Sequence, residues 1–441
     1  MMTQLTLWET GAAAAATART HRERLEYKYR PFLQERLDWG EKVSYRANKS
    51  IPLLRLYRYK EAFAHTLVRE LIQAHSAEKN LCVLDPFLGM GTTLFASTVL
   101  GIPSWGVDRL PVGVFIADTL LKMLSVEPSA IIDTYRRLLG DIDTFPEATA
   151  ATDVAIMKVA FDPEILKRLL QWKTGILQLS TPMREIMMLL LLSILEPCSY
   201  TSKDGQFLRL RREKQPVFPD AALYERVLAA ERDVQAVRAL GWEPRAPAIP
   251  IVGDARALPP SPFSEKPNLV VTSPPYANRY DYTRSYSLEL CFFFVENFEQ
   301  LKLLRHSVLR SHIEAKVNPS ERAPHHAVNE LVQILQSRRE QLNNPRIPDM
   351  ITAYFVDMQQ VLYNLSRVCA DGATIYMVID NVRFEGEMLP VDLILCDMAE
   401  TYGLRTEAVW VARYKGNSSQ QMGRYGRVPV RESILVWSKI S

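Results

Sequence analysis

Thr272-Ser273-Pro274-Pro275-Tyr276 is the stretch on which the fold and chemistry of this chain turn. It follows the apolar run Leu269-Val270-Val271 and precedes the polar Ala277-Asn278-Arg279-Tyr280-Asp281-Tyr282. An apolar run bounded by turn residues predicts a buried strand that ends in a loop. The two prolines fix φ and carry no N–H, so the turn presents carbonyl acceptors without competing donors. Ser273 adds an acceptor hydroxyl and Tyr276 a flat aromatic face. Such a turn suits a planar amino group that is held, stacked and made to react. A packed strand terminus accounts for the same pentapeptide equally well, so a second motif has to decide.

Leu81-Cys82-Val83-Leu84 supplies it, as a short apolar strand followed by Asp85-Pro86-Phe87-Leu88-Gly89-Met90-Gly91-Thr92-Thr93. Gly89 and Gly91 permit a tight turn and close backbone approach, and residues 94–100 read as a helix. A strand, a Gly-rich turn and a helix N-terminus form a nucleotide-type cofactor site at the carboxyl end of a sheet strand. The turn carries a carboxylate and no lysine, which disfavours a polyphosphate ligand. A further strand, Ser104-Trp105-Gly106-Val107-Asp108, ends in an acid at the distance where dinucleotide folds place a ribose-binding carboxylate.

Together these motifs resemble the S-adenosylmethionine-dependent amino-group methyltransferases, and most of all the cytosine-N4-specific DNA enzymes. The resemblance implies a Rossmann-like α/β fold with a seven-stranded, mostly parallel sheet. It implies S-adenosyl-L-methionine as cofactor, held by Asp85, Phe87, Gly89, Gly91, Thr92 and Thr93 of the turn, with Asp108 on the ribose. Asp254, at the end of Ile249-Pro250-Ile251-Val252-Gly253-Asp254, takes the adenine amino group, and Tyr59 covers the methionine end. Ser273, Pro274, Pro275 and Tyr276 become the catalytic residues. Seven strands are expected, starting near Cys82, Ser104, Ile249, Leu269, Ala373, Thr406 and Ser433, the last two as a closing antiparallel pair.

The resemblance divides the chain into a catalytic domain over 51–124 and 247–441, a basic and partly disordered arm over 1–50, and an insertion over 125–246. The insertion shows helical spacing and no regular strand alternation. Its polar stretch 201–214 reads either as a phosphate-tracking segment or as an exposed turn. Cys198 follows a proline, yet no catalytic turn surrounds it, and it reads as structural.

An exocyclic amine is a poor nucleophile, because its lone pair is delocalised into the ring. Acceptors on its hydrogens, Ser273 Oγ and the Pro274 carbonyl, free that lone pair, while Tyr276 stacks on the base and catalysis is mainly positioning. A base within double-stranded DNA must first be flipped out. Asn278, Arg279 and Tyr280 line that pocket or grip phosphates in this reading. Lys415, Asn417, Gln420, Gln421 and Arg424, with Arg427, lie in a glycine-containing loop and belong to the residue types that read base edges. Ser in place of Asp points, within the resembling family, to cytosine N4. Adenine N6 is the alternative, followed by guanine N2 in RNA and by an inactive DNA-binding scaffold.

Composition constrains the remainder. With 441 residues and 47% hydrophobic content the chain buries a large core. A formal charge of +3 neither demands nor excludes nucleic acid. The five cysteines are scattered and form no C-x-x-C, which suits reduced thiols in a cytoplasmic protein and no metal site. No signal-peptide core is visible, and the apolar run 186–195 is about half a membrane span. The family also suggests a restriction endonuclease as partner, and the oligomeric state stays open.

Overall fold

The computed structural model describes residues 20–204, 207–416, 423, 426 and 428–440. Its strands are β1 (Leu33–Glu35), β2 (Val83–Asp85), β3 (Ser104–Asp108), β4 (Thr201–Asp204), β5 (Phe207–Leu210), β6 (Ala248–Val252), β7 (Leu269–Thr272), β8 (Thr374–Asp380), β9 (Val382–Phe384), β10 (Glu387–Leu389), β11 (Leu404–Lys415) and β12 (Val430–Lys439). One eight-stranded sheet has the order β1-β11-β12-β8-β7-β2-β3-β6. Only β12 runs antiparallel to its neighbours; every other pairing in the sheet is parallel. This is the expected Rossmann-like sheet with one strand more than the sequence predicts. The extra strand, β1, spans three residues and adds to β11 at the edge.

The central strands β2 and β7 are mostly apolar because helices cover both faces. All of β2 and β7 is buried, as parallel strands between two helical layers must be. One layer contains helices Ile347–Val368 and Val391–Glu400, whose apolar faces pack with Trp105, Val270 and Met377. Residues 20–50, read from the sequence as a basic arm, carry helix His21–Tyr29, which starts in a Thr20–Glu23 capping box. Its Tyr29 is fully buried, and Lys28 pairs with Asp397 and Glu400 of helix Val391–Glu400.

Residues 125–246 are mainly helical. Helices Pro128–Asp141, Pro163–Leu177, Met183–Ile194 and Pro219–Ala239 share one core with helix Pro111–Met123. The run Ile186 to Leu192 is wholly buried there. Asp233 of the last helix accepts from the Leu53 backbone N–H at 2.8 Å and from Arg55. One departure is the hairpin β4–β5, in a stretch that the sequence presents as a phosphate-tracking segment or an exposed turn. Among the described residues no helix is long and apolar enough to cross a membrane.

Candidate active site

The sheet reverses its winding at β2, with β3 and β6 on one side and β7 and β8 on the other. Parallel sheets bind ligands outside the carboxyl ends of their strands at such a switch point. Asp85, Asp108, Thr272 and Asp380 end β2, β3, β7 and β8, and Asp254 follows β6. The antiparallel β12 brings Glu432 to the same edge, and the end of β11 brings Arg413 and Lys415.

Two cavities open at this edge. The first is lined by Tyr59, Phe87, Gly89, Asp108, Asp254, Ser273 and Pro275, together with Glu61, Arg109 and Tyr282. Gly89 sits at φ +52°, and a Cβ there would come within 3.2 Å of the Tyr59 ring. The Gly89 N–H donates to Asp108 Oδ2 and the Leu110 N–H to Oδ1, both at 2.8 Å. Burial pushes the Asp108 carboxyl above its ordinary range, against the pull of these N–H groups.

Asp85, Gly91, Thr92 and Thr93 stand behind this wall and do not line it. The Asp85 carboxylate accepts from the Phe87 N–H and the Thr272 hydroxyl on one oxygen and from the Thr93 hydroxyl on the other. It clips β2 to β7 and to helix Thr92–Val99, and burial raises its pKa to about 6. Gly91 precedes that helix at φ +82°, where a Cβ would meet the Ala117 Cβ at 2.5 Å. Asp254 does face the cavity. Its carboxylate is forked by Arg256 at 2.7 and 3.0 Å, and Arg256 continues to Asp357 at 3.0 Å.

The second cavity lies on the other side of the Ser-Pro-Pro-Tyr turn. Ser273, Pro274, Tyr276, Asn278 and Tyr280 line it, with Asp380, Arg413, Lys415 and Glu432. The Tyr276 hydroxyl donates to Glu432 Oε1 at 3.2 Å. Lys415 Nζ lies 2.7 Å from that oxygen, 3.1 Å from Asp380 Oδ2 and 5.6 Å from the Tyr276 ring centroid. Arg413 pairs with the other Glu432 oxygen. Burial drives the Asp380 carboxyl up to about 7, although Lys415 pulls it down. Asp380 Oδ1 is buried without a hydrogen-bond partner among the described residues. Arg279, at φ +73°, turns away from this cavity into a neighbouring crevice that it shares with Asn278, Asp380 and Lys415. Asn417, Gln420, Gln421, Arg424 and Arg427 lie outside the described residues.

Glu61, Ser273 and Tyr282 line both cavities. The sequence reading missed Glu61, Asp380, Arg413 and Glu432. For Asp380 a signal existed, since Met377-Val378-Ile379-Asp380 repeats the acid-ended strand of Asp108. The polar stretch 201–214 is not simply a surface track: Lys203 is buried in an ion pair with Glu289, and Lys214 donates to the Glu196 and Thr201 carbonyls. Cys198 is fully buried, and burial raises its thiol to about 12. Among the described residues no cluster of His, Cys, Asp or Glu is placed to hold a metal ion.

The chain is similar over nearly its whole length to known proteins. It is 32% identical to the type II methyltransferase M.BsoBI of Geobacillus stearothermophilus over 477 aligned positions, covering 95% of this chain and 92% of that one. It is 32% identical to the type II methyltransferase M.AvaI of Anabaena variabilis, covering 90% and 88%. No family model matches. Among solved structures, an rRNA methyltransferase from Streptomyces viridochromogenes aligns with a TM-score of 0.33 and 13% identity over 92% of this chain and 94% of that one.

Proposed function

The chain belongs to the type II methyltransferases, and on that premise we propose that it methylates the exocyclic N4 amine of a cytosine flipped out of double-stranded DNA. One observation supports this reading most. The Ser273–Tyr276 turn stands between two cavities, one lined by Phe87, Asp108 and Asp254 and the other by Tyr276, Asp380 and Glu432.

The methyl donor is S-adenosylmethionine, which supplies an electrophilic methyl group on a cationic sulfur. The first cavity fits it. Asp108 lines the cavity with a carboxylate that can accept from a ribose diol, Phe87 offers an aromatic face, and the Cβ-free Gly89 leaves the gap beside Tyr59 open. Asp254 takes the adenine amino group only by sharing its carboxylate with Arg256.

The second cavity holds the target. Ser273 Oγ and the Pro274 carbonyl accept the amine hydrogens, and Pro274 and Pro275 hold that geometry rigid. Tyr276 stacks on the base, fixed at its far end by Glu432. Asp380 stands in the same cavity, paired with Lys415. Holding the amine against the methyl group is the largest contribution the protein makes. Asn278, Tyr280 and Lys415 line this cavity, Arg279 lines the crevice beside it, and these side chains contact the surrounding DNA in this reading. A cognate restriction endonuclease is the partner expected for such an enzyme.

Mass spectrometry of nucleosides from plasmid DNA, incubated with the protein and S-adenosylmethionine, tests this. N4-methylcytosine is expected. N6-methyladenine would retain the site but replace the target, and unmodified DNA would overturn the reading.

A further inference from the structure

We infer that Glu61 is the residue that recognises the positive charge of the methyl donor and so separates it from the demethylated product. This rests on the first cavity being the cofactor site.

Glu61, Ser273 and Tyr282 stand where the two cavities meet, and of the three only Glu61 is a carboxylate. The methyl group crosses at this seam, so the sulfur that carries it lies beside Glu61. The carboxylate is held from behind by the Tyr286 hydroxyl, which donates to Glu61 Oε2 at 2.5 Å. Tyr286 is itself fully buried and stacks on Tyr59, with ring centroids 5.0 Å apart and planes at 15°.

Glu61 forms no ion pair among the described residues. Its chain neighbour Lys60 donates to the Lys203 carbonyl instead of pairing with it. Around it stand Tyr59, Tyr280, Tyr282 and Tyr286, and burial foremost pushes their hydroxyls well above the ordinary range. They stay neutral and furnish no counter-charge. A half-buried carboxylate among aromatic walls gains from a cation placed against it. A sulfonium is such a cation; the thioether left after transfer is not. Glu61 therefore favours the loaded donor and loosens its hold once the methyl group has left.

Isothermal titration calorimetry tests this without reference to turnover. Wild type and Glu61→Gln are each titrated with S-adenosylmethionine and with S-adenosylhomocysteine. The variant is expected to bind S-adenosylmethionine about tenfold or more weakly and S-adenosylhomocysteine as wild type does. Equal weakening of both ligands, or no change in either, overturns the inference. If Glu61→Gln binds neither ligand, Glu61→Asp decides. A retained preference for the charged ligand supports the role, and a lost preference or lost binding overturns it. A wild type that binds neither ligand defeats the cofactor site itself, an outcome distinct from the rest.

Discussion

Lys203 Nζ lies 2.5 Å from Glu289 Oε1, with both side chains almost wholly shut off from solvent. Lys203 comes from the β4–β5 hairpin, and Glu289 from the helical segment that follows the Ser-Pro-Pro-Tyr turn. The Tyr57 hydroxyl donates to the same carboxylate oxygen at 2.7 Å, and Lys203 Nζ sits 4.3 Å from the Tyr286 ring centroid. The pair thus fastens the hairpin behind Tyr286, which stacks on Tyr59 of the first cavity. Removing one partner strands the other charge in a dry interior. Lys203→Met is expected to cost about 3–5 kcal/mol, and pairing it with Glu289→Leu to recover much of that loss. Urea denaturation midpoints of the single and double variants measure it. A double variant no more stable than the single one would show that the loss comes from packing.

Tyr276 and Asp108 face different cavities, so their substitutions should separate. Tyr276→Ala removes the stacking face and is expected to lower kcat for methylation, about tenfold or more, with cofactor affinity unchanged. Tyr276→Phe keeps the ring, loses the hydroxyl's bond to Glu432 and the long one it accepts from Ser273 Oγ, and should retain most of the activity. Asp108→Ala is expected to do the reverse, weakening cofactor binding. It also releases the Gly89 and Leu110 N–H groups, at about 1–3 kcal/mol of stability. Calorimetry and steady-state methylation distinguish the two. Equal effects on both quantities from both alanine variants would defeat the division of roles.

The strands that carry the site were legible because each is an apolar run closed by an acid or a turn: Asp85, Asp108, Thr272-Ser273. Burial on both faces writes that pattern directly into the sequence. The short strands β1, β4 and β5 left no such mark, since three or four residues at an edge or in a hairpin need no apolar run. Charge misled for a related reason. Lys203 sits in a polar stretch, and its burial depends on a partner 86 residues away. Tyr276 and Glu432 meet across 156 residues, and Glu61 stands among aromatics that drew the attention instead. Sequence shows which side chains are charged; topology decides which charges face one another.

Asp380 should give stability a distinct pH dependence. Its carboxyl is pushed up to about 7, foremost by burial. Glu432 across the strand adds to the rise, while Lys415 and Arg413 oppose it. An unfolded chain releases this proton near its ordinary value, about 4. Between about 4 and 7 the native state therefore holds a proton that the unfolded state has lost, and stability falls as pH rises through that window. Asp380→Asn is expected to flatten the slope. Lys415→Met removes a cation that favours the charged form and should extend the window to higher pH. Thermal unfolding across the window reads both, and parallel curves for wild type and Asp380→Asn would show that Asp380 titrates as an ordinary carboxylate.

Gly113 sits in helix Pro111–Met123 directly against the cofactor turn. A Cβ there would lie 2.6 Å from the Gly89 carbonyl oxygen, 3.2 Å from its carbonyl carbon and 3.6 Å from its Cα. All three atoms are backbone and cannot swing aside as a side chain would. In an open helix, Gly→Ala stabilises by about 0.5–1 kcal/mol. Here the clash opposes that gain, and overpacking of this kind costs about 1–3 kcal/mol. Gly113→Ala is therefore expected to lower stability, against its helix propensity. The helix can yield only by pressing the turn outward, which moves Gly89 toward Tyr59 and narrows the cavity. Weaker binding of S-adenosylmethionine and S-adenosylhomocysteine alike should accompany the lower melting temperature, because the wall shifts whatever the charge of the ligand. A Gly113→Ala variant that melts higher and binds both ligands as wild type does would show that the helix and the turn are not in the contact that shapes the site.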